Sequence, residues 1–331
     1  MAAAPAGFWS STRFRGVLYQ VMVVAAVVAL GGWLVHNTLV NLEIRGIATG
    51  FGFLAREAGF GISESWISYS PADSYARALV VGLLNTMVVS AIGIVLATVL
   101  GTVVGVARLS GNWLVGKLAT LYVEALRNVP LLLQLFVWYG VLTALPGARQ
   151  ALHPLPGIFL SNRGLVIPSL DWSQGWLPAM EIPRLVGFNF IGGLTLSPEF
   201  AALLAGLTIY TAAFIAEIVR AGILAVPKGQ TEAALSLGLS RGQILRLVVL
   251  PQALRVIIPP LTSQYLNIAK NSPLAIAIGY PDLVAVSNTA INQTGQAVEG
   301  VALVMAVFLG LSLTLSALMN WYNKRVALVT R

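Results

Sequence analysis

The chain has 331 residues, of which 57% are hydrophobic and 10% charged, and a formal net charge of +8. The absence of cysteine excludes disulfides and thiolate metal sites, and the two histidines, His36 and His153, stand too far apart to suggest a metal centre. The cations are spread over short loops, with no basic tract interleaved with aromatic platforms, so nucleic acid is not an expected partner.

Apolar runs of about 20 residues can cross hydrocarbon as helices because every backbone N–H and C=O is then paired within the segment. The first run, 17 to 40, follows Arg13 and Arg15 as a signal peptide would. Its apolar core exceeds the roughly 7–15 residues of such a region, and no small-residue cleavage site follows in HNTLVNL, so it reads as a retained anchor. Residues 41 to 75 mix charges with aromatics and read as an outer segment. In the second span, 78 to 107, Gly93, Ala97, Gly101 and Gly105 recur every four residues, a spacing that lets helix backbones approach closely in lipid. A third span covers 118 to 145.

The next stretch, 146 to 197, carries Pro154, Pro156, Pro168, Pro178 and Pro183 with Trp172 and Trp176. That proline density argues against a long helix, and tryptophan favours the water–lipid boundary. It reads either as a structured outer cap or as a docking surface for an outer partner. Further spans follow at 200 to 224, at 251 to 270 with an interruption at Pro259 and Pro260, and at 300 to 322. Between the last two, 274 to 291 is apolar but broken by Gly279, Pro281 and Asp282. As a full span it would put Lys324 and Arg325 outside, so a re-entrant or interfacial piece is expected. The expected fold is therefore an all-α integral membrane protein of about six transmembrane helices.

Positive charge fixes the orientation, since Lys and Arg are retained on the cytoplasmic side. With both termini inside, thirteen cations and three acidic residues lie inside, six cations and nine acidic residues outside, and Lys270 lies within or near a span. Two motifs fail on context. GNWLVGKL, residues 111 to 118, lacks the final hydroxyl and preceding strand of a phosphate loop, so the chain is not expected to bind ATP. GLSRG, residues 238 to 242, has no later histidine to serve a nucleophilic serine.

The stretch TEAALSLGLSRGQILRLVVLPQ, residues 231 to 252, is too polar to cross a bilayer and lies between two spans on the cytoplasmic side. Thr231 is placed to cap a first short helix, with Glu232 near its positive end and Gly238 as a left-handed stop. Ser240 and Gln243 fit a capping box for a second helix that returns to the membrane. Ala233 and Ala234 keep the first helix slim enough to lie in another protein's groove.

Glu232-Ala233-Ala234, three residues, Gly238, nine residues and Val248-Val249-Leu250-Pro251 resemble the EAA signature of ABC importer permeases, with Val248 in place of isoleucine. LRNVPLLLQLFVWYG, FIAEIVRAGI and LPQALRVIIPPLTSQYLNIAKNSPLAIAIGYPDL are similar to recurring segments of the polar amino-acid (His/Gln/Arg-type) branch. The extra first span, the insert at 146 to 197 and AKNSP, where many relatives have a K-D-T-S-like run, look closest to general L-amino-acid permeases.

The resemblance implies a type I ABC importer permease fold with a cytoplasmic coupling helix, and transport by alternating access. Its implied layout is an extra anchor and periplasmic segment at 1–75, and a permease core at 76–325. The core holds the periplasmic insert at 146–197 and the EAA loop at 227–247, and a cytoplasmic tail covers 326–331. The implied location is the bacterial inner membrane. Implied partners are an ABC ATPase dimer, which holds ATP and Mg, a second related permease subunit and a periplasmic amino-acid-binding protein. This chain itself is expected to carry no cofactor and no catalysis.

Glu232, Ala233, Ala234, Gly238 and Arg241 are the candidate ATPase contacts. Polar groups in hydrocarbon are costly, which makes Asn85, Gln134, Thr208, Thr211, Gln264, Asn267, Lys270 and Asn271 candidates for the substrate path, with interhelical hydrogen bonds or snorkelling of Lys270 as the alternative. An amino acid's carboxylate would suit a helix N-terminus or Lys270, and its ammonium an amide oxygen or carbonyls. Glu124 with Arg127 and Glu217 with Arg220 are spaced as helical ion pairs near the inner ends of their spans, either as simple pairing or as part of an inner gate. A self-sufficient secondary transporter would show an inverted repeat and a deep carboxylate for a coupling ion, and neither is seen.

Overall fold

The computed structural model describes residues 12–46, 49–171, 179–187 and 189–326. The first long helix, α1 (Thr12–Ile44), is apolar along its length and has no buried residue among those described. An outer segment containing a 3-10 turn at Phe51–Ala55 leads to α2 (Tyr75–Ala107), whose start is capped by the Ser74 hydroxyl accepting from the Arg77 backbone N–H.

The expected third span is instead two helices, α3 (Trp113–Asn128) and α4 (Leu131–Thr143), bent by 107°. Pro130 causes the break. It offers no N–H to the preceding turn and holds Val129 in extended backbone, φ −101° and ψ 125°. The Gln134 amide then donates to the stranded carbonyls of Leu126 and Val129, at 2.9 and 3.0 Å.

The proline-rich insert is built of short strands: β1 (Leu152–Leu155), β2 (Ile158–Ser161), β3 (Gly164–Ile167), β4 (Ser169–Asp171), β5 (Ala179–Glu181), β6 (Arg184–Val186), β7 (Asn189–Ile191) and β8 (Leu194–Leu196). An antiparallel sheet of order β1-β2-β3-β8 forms its base, and the hairpins β4-β5 and β6-β7 rise between β3 and β8. At Gly164, φ is +109° and an added Cβ would lie 2.0 Å from the Leu196 carbonyl oxygen, so only glycine fits there. Trp172 and Trp176, expected at the membrane boundary, lie outside the described residues.

The central helix is α5 (Pro198–Leu224), which packs along α2 through the row of small residues. A Cβ on Gly101 would come within 2.6 Å of Ile215, and one on Gly105 within 2.7 Å of the Ala216 carbonyl oxygen. Gly206 likewise admits Leu135 of α4. The core formed around this contact includes Val89, Leu135, Phe200, Leu203, Leu207 and Ile215. In lipid such close backbone approach, rather than water exclusion, is what holds helices together.

After α5 come two short helices, α6 (Lys228–Ser236) and α7 (Arg241–Ile244), a π-helical turn at Leu245–Val249, and α8 (Leu250–Asn271). Where an interruption is expected at Pro259 and Pro260, α8 runs straight through. A 3-10 turn at Ser272–Ile278 ends on left-handed Gly279, φ +83°. Then α9 (Leu283–Thr294), 12 residues long, is too short to cross the bilayer. The last element is α10 (Ala297–Val326).

The segment between α1 and α2 closes over the start of α2 and one face of α9. Phe53 and Ala58 pack against Tyr75, Ala78, Val286 and Ala290. The Tyr75 hydroxyl donates to Gln293, the Gln296 amide donates to the Gly50 carbonyl, and the Gly50 N–H donates to Glu299.

Candidate functional site

The chain makes a sharp corner between α6 and α7. The start of α6 lies at Pro227, four residues before the expected cap: Thr231 is inside the helix, because the fixed φ of Pro227, −59°, already suits a helix start. The end of α6 is as expected. Gly238 has φ +77°, its N–H donates to Leu235, and the Leu239 N–H donates to Ala234, the paired bonds of a Schellman stop. The capping box is also formed, with Ser240 and Gln243 exchanging side-chain and backbone bonds.

This corner sorts the candidate contacts. Ala234 is buried and seats α6, whereas Glu232, Ala233, Gly238 and Arg241 are exposed. Leu235 and Leu237 are exposed as well, Leu237 by 81%, and residue-by-residue reading of the motif passed over both. Beneath α6, a cleft of about 380 Å³ is lined by Leu235, Arg241, Ile244 and Leu245.

The path candidates divide in the same way. Asn85 is fully buried, and its amide donates to the carbonyls of Glu64 and Pro281, both at 2.9 Å, joining α2 to the outer segment and the turn before α9. Gln134 braces the bend between α3 and α4, while Thr208 and Thr211 are buried inside α5's contacts. On α8, Asn267 and Lys270 are exposed and Gln264 and Asn271 half-buried. Pro259 and Pro260 are exposed on the same helix. Neither proline offers an N–H for the helical bond to the carbonyl four residues before it.

Near the C-terminal ends of α2, α3 and α5 lies a cluster of charges. Glu217 accepts from Arg220 at 2.5 Å and from Arg108, a residue 109 positions away that no local pattern marks. Glu124 and Arg127 do not form the expected pair: the Arg127 guanidinium lies over the Phe214 ring, 5.0 Å from its centroid. Arg108, Glu124, Arg127, Phe214 and Glu217 line a cavity of about 430 Å³.

Asp282 caps α9 by accepting from the Ala285 N–H at 2.8 Å, while its second oxygen is buried without a partner. Burial pushes its carboxyl up to about 6, against the lowering effect of the backbone N–H groups. Burial also raises Glu64, whose carboxylate accepts from the Ser197 hydroxyl. Among the described residues no group of side chains could hold a metal ion.

A bundle of long apolar helices with a capped corner between α6 and α7 defines a multi-pass helical membrane protein. A family model for the inner membrane component of binding-protein-dependent transport systems matches residues 93–328, and the chain belongs to that family. It is 50% identical to the putative amino-acid ABC transporter permease protein YhdX of Escherichia coli (strain K12), over 98% of this chain and 97% of that protein. It is 44% identical to the general L-amino acid transport system permease protein AapQ of Rhizobium johnstonii, over 96% and 94%. A crystal structure of an amino acid ABC transporter with histidines is similar at 25% identity and a TM-score of 0.56, over 76% of this chain and 95% of that one. The fold is the helical membrane fold of type I ABC importer permeases.

Proposed function

We propose that this chain is the membrane-spanning permease subunit of an ATP-driven amino-acid importer, working by alternating access with α6 as its coupling helix. The observation that carries the reading is the double-capped inner corner: a short rigid helix, stopped at Gly238 and followed by a capping box, between two membrane helices. Such a corner can pass a push from a partner to α5 and α8 without bending. Glu232, Ala233, Gly238 and Arg241, with Leu235 and Leu237, would meet an ABC ATPase, and Ala234 would seat the helix from within. ATP and Mg belong to that ATPase dimer.

A second related permease subunit would complete the path, and a periplasmic amino-acid-binding protein would supply it. The similarity to permease proteins of amino-acid transport systems supports that substrate class. Gln264, Asn267, Lys270 and Asn271 on α8 would line the path. They offer amide oxygens for an ammonium and one cation for a carboxylate. Asn85, Gln134, Thr208 and Thr211 would serve packing. The charge balance supports both termini inside the cell, the insert at 146–197 outside and the loop at 227–247 inside.

Co-expression with a candidate ATPase followed by pull-down tests the coupling contact. Wild type is expected to retain the ATPase, and Glu232→Arg and Leu237→Arg to lose it. Retention by both variants would move the contact elsewhere.

A further inference from the structure

We propose that the groove between α2 and α10 binds a phospholipid acyl chain, held along both helices as a fixed part of the protein rather than as exchanging bulk lipid. This needs only that the two helices cross the membrane, and does not depend on the transport reading.

The groove exists because α10 is held off from α2. Both helices pack against α8 and α9, but among the described residues they make no extensive contact with each other. The start of α10 sets this arrangement: a Cβ on Gly300 would lie 2.4 Å from Ile291, so α10 leaves from a close approach to α9. From 301 to 323 no residue of α10 is buried. Two clefts open in the gap, one of about 110 Å³ and one of about 200 Å³. They lie on one line, since Leu83, Met87 and Ala91 on α2, and Val307, Leu311 and Leu315 on α10, stand four residues apart on a single helix face. That line runs from Leu79 to Ile94 on one wall and from Leu303 to Leu318 on the other, about 22 Å on each at the helical rise.

Shape and chemistry select the occupant. A helix with its side chains is about 10 Å across and over this length fills about 1,700 Å³, several times the open space. Water finds almost no partners along walls that are nearly all aliphatic, and such cavities stay dry. Within a bilayer that leaves hydrocarbon, and one extended chain suits a narrow slot covering more than half of the ~30 Å apolar core. Ala91 and Ala269 keep the slot open where larger side chains would fill it. On the α2 wall the Thr86 hydroxyl accepts from the Leu283 N–H, whereas the hydroxyl of Ser90, a residue 7% exposed, is buried without a partner. A hydrocarbon chain gains nothing from that hydroxyl, while a polar ligand would depend on it, so Ser90 separates the two kinds of occupant.

The assembled complex is placed in nanodiscs containing a trace of phosphatidylcholine with a photoactivatable diazirine on one acyl chain, illuminated, digested and mapped by mass spectrometry. Labelling at Val307, Leu311 and Leu315 should exceed that at Met305, Leu309 and Leu313, which are exposed on the other face of α10, by about fourfold or more, the factor given by one further buried methylene. Ala91→Leu combined with Ala269→Leu fills the slot and should bring the two faces level. Ser90→Ala should label at least as strongly as wild type. Pull-down of the ATPase by each variant reports assembly, and Ala91→Val, with a smaller fall expected, replaces the double variant should that one fail to assemble.

Equal labelling of the two faces in wild type would leave only bulk lipid and overturn the site. Labelling that falls with Ser90→Ala, or that survives the filled slot, would overturn it as well. Absence of groove labelling in the assembled complex, with labelling present in the isolated permease, would assign the gap to a helix of the sibling subunit and remove the proposal.

Discussion

Asp282 shows what burial does to a carboxyl beneath the outer cap. Raised to about 6 from an ordinary 3.8 by desolvation, it favours the protonated form in the fold. Stability is therefore greatest below the unfolded value, falls as pH rises through the window between about 4 and 6, and stays at the lower level above it. Asp282→Asn keeps the helix cap and removes the charge, so its unfolding midpoint at pH 7.5 in detergent should rise, by of order 1–3 kcal/mol, and its pH dependence between 4 and 6 should flatten. A lower midpoint at pH 7.5 would mean that the buried carboxylate is compensated by something else. The Arg108–Glu217–Arg220 cluster makes a second residue-scale prediction. Glu217→Gln leaves two guanidiniums side by side without a counter-charge, and should cost about 1–3 kcal/mol, more than Arg108→Gln, which leaves the Glu217–Arg220 pair intact. Thermal unfolding of the two variants checks the order.

At the scale of elements, the contact of α2 with α5 depends on the row of small residues. With an added Cβ at Gly101 2.6 Å from Ile215, Gly101→Leu must force the helices apart. It should cost about 1–3 kcal/mol or more, while the same change at Gly111, which has open space, should be nearly neutral. Comparing the two by thermal unfolding tests the row. That row, the long apolar helices and the Gly238 and Ser240 caps were legible because each is written in adjacent residues or at a fixed helical spacing. The bend at Pro130 was signalled by its proline but hidden within an apolar run long enough to pass for one span. Strands of three or four residues carry too little alternation to be read, which is why the insert's hairpins went unassigned. The partnership of Arg108 with Glu217 joins residues far apart in sequence, and only the parallel run of α2 beside α5 creates it.

The whole molecule has three parts. The segment between α1 and α2 packs over the start of α2, small residues bring α2 and α5 together, and the α6–α7 corner joins α5 to α8. On α8, Asn267 and Lys270 stand exposed, and α1 offers no buried face of its own among the described residues. On the proposed reading, movement is imposed on the corner from outside the chain. The direct test is solute accumulation in sealed vesicles containing this chain and its sibling permease, with binding protein on the periplasmic side, with and without the ATPase and ATP. Amino acid should accumulate against its gradient only when the ATPase hydrolyses ATP, and Leu237→Arg should abolish accumulation. Uphill transport by the permeases alone would contradict the account.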